Sequence, residues 1–155
     1  MKYLAILSLL FFYGCGPTPE YAENRPTNPD GWAEESVVFD ITIDDVNPKY
    51  ELQLLIDHTT TYRYENIYFK IKTTFPDREP REEQLSVNLA NKKGQWQGKC
   101  SAESCTIKVY LLESFKFPAA GEYSFSLRQY TREETLAGIN GLELKLFKLE
   151  EENDG

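Results

Sequence analysis

The chain has 155 residues, a formal net charge of −8 at pH 7 and a mean hydropathy of −0.52. That length admits one domain with a real core, and so acidic a chain repels nucleic acid and anionic lipid surfaces instead of binding them. Ten Tyr and nine Phe in so polar a chain point to strands, where aromatic residues pack well on half-buried faces.

Lys2 supplies a short basic start, Leu4 to Tyr13 runs without a charge, and Gly14, Cys15 and Gly16 follow at once. A basic end, an apolar run of about ten residues and a small residue before the cut describe an export signal. The run is too short to cross ~30 Å of hydrocarbon, which takes roughly 20 residues. With a cysteine directly after the small residue, the segment resembles the signal of bacterial lipoproteins. That resemblance implies removal of residues 1–14 and acyl chains, palmitate among them, on Cys15. The body is then anchored to a membrane without spanning it. Lys2 is the one charge in residues 1–14, so processing takes the formal charge from −8 to −9.

Residues 15–31 carry four prolines at Pro17, Pro19, Pro26 and Pro29 and no apolar period, and they are expected to form an extended tether. At ~3 Å per residue such a tether holds the body up to about 40 Å from the bilayer. Its start lacks a tight acidic cluster of the kind that directs some lipoproteins to the cell surface. The expected location is therefore the outer membrane, facing the periplasm.

From Trp32 the pattern is that of strands. Val37, Phe39, Ile41 and Ile43 alternate with Val38, Asp40, Thr42 and Asp44. Leu52, Leu54 and Ile56 repeat the alternation after a turn at Asn47-Pro48, and Ile67, Phe69 and Ile71 alternate with Tyr68, Lys70 and Lys72. Pro76 to Glu83 reads as a charged turn, followed by Leu85, Val87 and Leu89. Gly94 and Gly98 bound a segment that carries one buried indole, Trp96. Ile107, Val109 and Leu111, then Tyr123, Phe125 and Leu127, then Leu142, Leu144 and Leu146 complete the series. Thr131 to Glu134 has capping-box spacing and is expected to start one helical turn. About seven or eight strands of period two, separated by Pro, Gly and Asn, predict an all-β antiparallel sandwich, immunoglobulin-like or jelly-roll-like. It is expected over residues 32–149, with residues 150–155 as a solvated acidic tail.

Cys100 and Cys105 bracket a short loop in a compartment where disulfides persist, so a structural clip is the expectation, with two free thiols as the alternative. The entropy model values so small a ring at roughly 2 kcal/mol. Redox catalysis goes with a tighter pair at a helix start, and zinc would need two more ligands nearby.

His58 stands without a nucleophile elbow and reads as a hydrogen-bonded turn residue. Asp40, Asp44 and Asp45 lack the spacing of a calcium loop, and no glycine-rich phosphate loop exists. No catalytic residue, metal or cofactor is expected. Two groups combine aromatic rings with cations: Tyr62, Arg63 and Tyr64 between two strands, and Gln129, Tyr130 and Arg132 at the end of another. Tyr and Arg anchor partner surfaces because they offer large area and several donors at modest entropic cost. A periplasmic platform for peptidoglycan or another glycan, built on Tyr62, Tyr64 and Trp96, is the alternative, and it needs those three rings exposed.

Several motifs then come in a recognisable order. Trp32 precedes Ser36-Val-Val-Phe39, the Leu52 to Ile56 strand ends at His58, and Tyr62-Arg-Tyr-Glu-Asn-Ile-Tyr-Phe69 follows. After them stand Gly94 to Gly98, Phe117-Pro-Ala-Ala-Gly-Glu-Tyr-Ser-Phe125, Gln129 to Arg132 and Leu136 to Ile139. Together they resemble the gliding-motility lipoprotein GldH family over nearly all of the mature chain. The resemblance implies a non-enzymatic envelope lipoprotein that serves gliding, type IX secretion or both through contacts with other envelope proteins. Cys15 is the one defined site it carries over.

Overall fold

A computed structural model describes residues 16–150; the export signal, Cys15 and residues 151–155 of the acidic tail lie outside the described residues. The described residues form nine strands: β1 (Tyr21–Pro26), β2 (Val37–Ile43), β3 (Lys49–Thr59), β4 (Asn66–Thr74), β5 (Arg81–Asn88), β6 (Lys99–Cys100), β7 (Ser104–Phe115), β8 (Gly121–Gln129) and β9 (Ile139–Leu149). All pairings are antiparallel, in a five-stranded sheet of order β1-β9-β3-β7-β6 and a four-stranded sheet of order β2-β8-β4-β5.

The chain changes sheet at nearly every connection, the β4–β5 hairpin being an exception. Setting aside the two-residue β6, this is the strand order of a jelly roll, which decides between the two sandwich types the pattern allowed. The alternation explains the layers. Phe39, Ile41, Ile67, Phe69, Tyr123, Phe125 and Leu127 point in from one sheet, and Leu52, Leu54, Ile56, Leu142, Leu144 and Leu146 from the other. Sheets packed in this way stand about 10 Å apart, a gap that such side chains fill.

Trp32 closes one end of the core. It belongs to no strand, but its backbone bridges Leu136 in both directions, at 2.9 and 2.8 Å. Its indole N–H donates to the Glu35 carbonyl at 2.9 Å, and its ring lies 6.1 Å from that of Phe69. The buried indole therefore finds the polar partner it needs.

Two expectations are corrected. β1 lies inside residues 15–31, read from sequence as tether, yet it pairs with β9 from Tyr21↔Leu146 to Pro26↔Gly141. It is an edge strand held by backbone hydrogen bonds. Only Tyr21 and Glu23 are even half-buried in it, so no apolar alternation marked it, and an edge tolerates Pro26. The capping box at Thr131 starts no helix. Gln129 Oε1 accepts from the Thr131 N–H at 2.9 Å and its hydroxyl at 2.8 Å, and such local side-chain bonds compete with helical ones.

Candidate functional site

The sandwich has two unlike ends. The chain comes in through Glu20 beside Leu146, at the end where β3 begins and β9 finishes. β3 then runs roughly 30 Å, at about 3.3 Å per residue, before it delivers His58 and Thr59 to the opposite end. There the β3–β4 and β8–β9 connections meet.

Tyr62 is the pivot of that far end. Its N–H donates to the Thr59 carbonyl at 3.1 Å and its hydroxyl to the Asn66 carbonyl at 3.2 Å. It is only 5% exposed, with the His58 ring 5.9 Å away on one side and the Tyr64 ring edge-on at 5.7 Å on another. Burial pushes the Tyr62 hydroxyl pKa well above its ordinary value, with the neighbouring Tyr64 adding to the effect. Gly138 (φ +91°) lets the β8–β9 loop pass against this turn, since a Cβ there would meet Thr59 Oγ1 at 3.0 Å.

Beside Tyr62 opens a groove of about 700 Å³, with Tyr64, Asn66, Tyr68, Gln84, Tyr130 and Arg132 along it. Tyr64, Tyr68 and Tyr130 are 37%, 44% and 46% exposed. The Tyr130 N–H donates to the Tyr68 carbonyl at 2.8 Å, which holds Tyr130, just past the end of β8, beside Tyr68 on β4. The Tyr64 hydroxyl donates to the Glu133 carboxylate, which raises the pKa of that hydroxyl. Lys70 Nζ sits 4.4 Å from the centroid of the Tyr130 ring and 3.7 Å from Glu82. Arg128 stands directly across from Lys70 in the β4–β8 ladder.

The two aromatic-cation groups chosen from sequence thus come together, with changes of role. Tyr64, Tyr130 and Arg132 line the groove, Tyr62 forms its buried wall, and Arg63 is exposed beside it without lining it. Tyr68, Asn66, Gln84 and Lys70 escaped the sequence reading. The available signal was a tyrosine on the polar face of β4, where an outward ring has no packing reason to be.

The platform of Tyr62, Tyr64 and Trp96 does not form, because Tyr62 is buried and Trp96 half-buried. The Trp96 N–H donates to the Thr60 carbonyl at 3.2 Å. His58 lies in β3, not in a turn, with Nδ1 2.9 Å from the Thr59 carbonyl. Cys100 and Cys105 are bonded to each other across the β6–β7 pair, the first exposed and the second buried. Among the described residues no group of three or more His, Cys, Asp or Glu side chains is placed to hold a metal ion.

A second surface is the free edge of β7. β6 pairs only with Cys105 and Thr106, so from Lys108 to Phe115 one side of β7 has no strand partner among the described residues. Tyr110 and Phe115 are exposed there, and Leu111 and Leu112 line a small cleft of about 250 Å³ toward β5.

The family model described as GldH lipoprotein matches residues 20–146. The chain belongs to the GldH lipoprotein family. The GldH match begins one residue before β1 and ends inside β9, so the family's sequence pattern spans the whole sandwich, β1 included. The Gliding motility lipoprotein GldH of Flavobacterium johnsoniae is 24% identical over 142 residues, which cover 90% of this chain and 87% of that protein. Among solved structures, TmCBM61 in complex with beta-1,4-galactotriose aligns with 13% identity and a TM-score of 0.29, over 85% of this chain and 73% of that one. The superposition is too loose to bear on the ligand of this GldH-family chain.

Proposed function

We propose that this GldH-family chain is a lipid-anchored accessory of the envelope machinery for gliding, type IX secretion or both, and that it works as a binding protein and not as an enzyme. Its anchor is the acylated Cys15, in the outer membrane and facing the periplasm, with residues 16–20 as the remaining tether. The observation that carries this reading is the match of the GldH lipoprotein family model to residues 20–146, which run from the start of β1 into β9. The identity of the Flavobacterium johnsoniae relative supports the link to gliding.

Protein contacts are best served by the free edge of β7. An unpaired strand edge with exposed Tyr110 and Phe115 is a template for an extended segment of another protein, which gains main-chain hydrogen bonds there. Two other edges are guarded, since β5 carries Arg81, Glu82 and Glu83 and β1 carries Glu23, Arg25 and Pro26, while the third, β2, carries one charge, Asp40.

Deleting the gene in the source bacterium is expected to abolish surface spreading or secretion of type IX cargo, with wild-type protein restoring it. Cys15→Ala protein should fold but leave the membrane fraction, and Leu111→Lys should weaken co-purification of envelope proteins. A deletion strain with both activities intact would sink the assignment. So would Cys15→Ala protein that still sediments with membranes after a high-salt wash.

A further inference from the structure

We infer that the tyrosine groove at the end of the sandwich away from the tether binds an anionic glycan, a sugar chain bearing carboxylates. The site goes beyond the protein-contact reading and does not depend on it: of the residues lining the groove, Gln84 alone also lines the cleft beside the free edge of β7.

The ring faces come first. Tyr64, Tyr68 and Tyr130 present three flat, partly exposed surfaces along one groove. They are fixed from below, Tyr130 to Tyr68 by the backbone bond at 2.8 Å and Tyr64 by the edge of buried Tyr62. A pyranose offers an apolar C–H face to such a ring and hydroxyls around its rim. The groove supplies the matching polar groups. Asn66 Nδ2 donates to the Tyr68 hydroxyl at 3.1 Å, which leaves the Tyr68 O–H to donate outward. Among the described residues the Gln84 amide makes no side-chain hydrogen bond, and neither does the Tyr130 hydroxyl. Among the described residues no Leu, Ile, Val or Met lines the groove. A volume of about 700 Å³ suits a few sugar rings.

Charge sets the class of glycan. The chain as a whole is at −8, yet the face beside this groove gathers Lys70, Arg128 and Arg132. Lys70 and Arg128 oppose each other directly across two strands, a placement that costs stability when nothing lies between them. Arg128 and Arg132 make no ion pair among the described residues. Lys70 lies 3.7 Å from Glu82, and Glu133, which lines the groove, accepts from the Tyr64 hydroxyl. Sugar carboxylates would satisfy Arg128 and Arg132 while the rings stack, and guanidinium groups are well shaped to receive a carboxylate.

The test is affinity electrophoresis of the full-length lipoprotein in detergent, through gels containing polygalacturonate, alginate or neutral galactan. Polygalacturonate or alginate should retard the protein, with neutral galactan about tenfold weaker. Tyr130→Ala and Arg132→Ala should each reduce retardation about tenfold, while Tyr130→Phe keeps most of it. Both positions are exposed, so the thermal midpoint should not move, and Lys92→Ala, in the β5–β6 loop, should bind as wild type. No retardation by either polyuronate overturns the proposal. Equal retardation by galactan overturns it too, as does competition by poly-glutamate as effective as by free polyuronate.

Discussion

Trp96 packs edge-on against His58, the two ring centroids 4.7 Å apart. The carbonyl of Thr59 can only accept, so His58 Nδ1 carries the proton in their 2.9 Å contact. Nε2 is then buried with no hydrogen-bond partner among the described residues. His58→Ala opens a cavity beneath Trp96 and Tyr62 and should cost about 3 kcal/mol in urea denaturation. His58→Phe keeps a ring and removes the unsatisfied nitrogen, so its cost should be less than half as large. Equal losses for the two variants would contradict this account.

Gly98 and Gly94 bound the same loop but are constrained differently. A Cβ on Gly98 would sit 2.2 Å from the Thr106 carbonyl oxygen, in a backbone at φ +87°. On Gly94, at φ +74°, the nearest atom would be Glu65 Oε1 at 3.7 Å. Gly98→Ala should therefore cost roughly 3 kcal/mol, and Gly94→Ala only about 1 kcal/mol from the left-handed backbone alone. Chemical denaturation of the two variants side by side checks the order.

The Cys100–Cys105 bond closes a ring with a sequence separation of 5, joining the exposed β6 to buried Cys105. Reduction with dithiothreitol should lower stability by about 2 kcal/mol, the loop-entropy value for so short a ring. Neither cysteine lines the groove, so glycan retardation measured well below the melting temperature should survive reduction.

Alkaline pH should unfold the protein through its buried phenols. Burial raises the Tyr62 pKa, and burial followed by the bond to Glu23 raises that of Tyr21, both from an ordinary value of 10.0. A folded pKa raised above the unfolded one stabilises the fold below pH 10 and loses that stability as pH climbs beyond it. Absorbance at 295 nm should show a late ionising fraction that rises together with unfolding. Tyr62→Phe should remove part of the pH dependence above pH 10.

Much of the fold was legible because strand alternation is local. Val37 to Ile43 and Tyr123 to Leu127 announce a buried and an exposed face within a few residues, and the structure buries the faces they announce. β1 was invisible for the converse reason. An edge strand with its side chains mostly in water owes its place to backbone pairing with β9, a partner at the other end of the chain. The groove was half legible. Tyr64 and Glu133 stand 69 residues apart, and nothing in either segment says that they touch.

By itself, then, the sequence determined the sheet-built core and the existence of two aromatic-cation segments, since both follow from the order of neighbouring residues. Only the tertiary structure decided the jelly-roll strand order, the burial of Tyr62 and the meeting of Tyr64, Tyr68 and Tyr130 in one groove. Those depend on which distant strands exchange hydrogen bonds, and an alternating pattern is compatible with many partners while the folded sheet admits one.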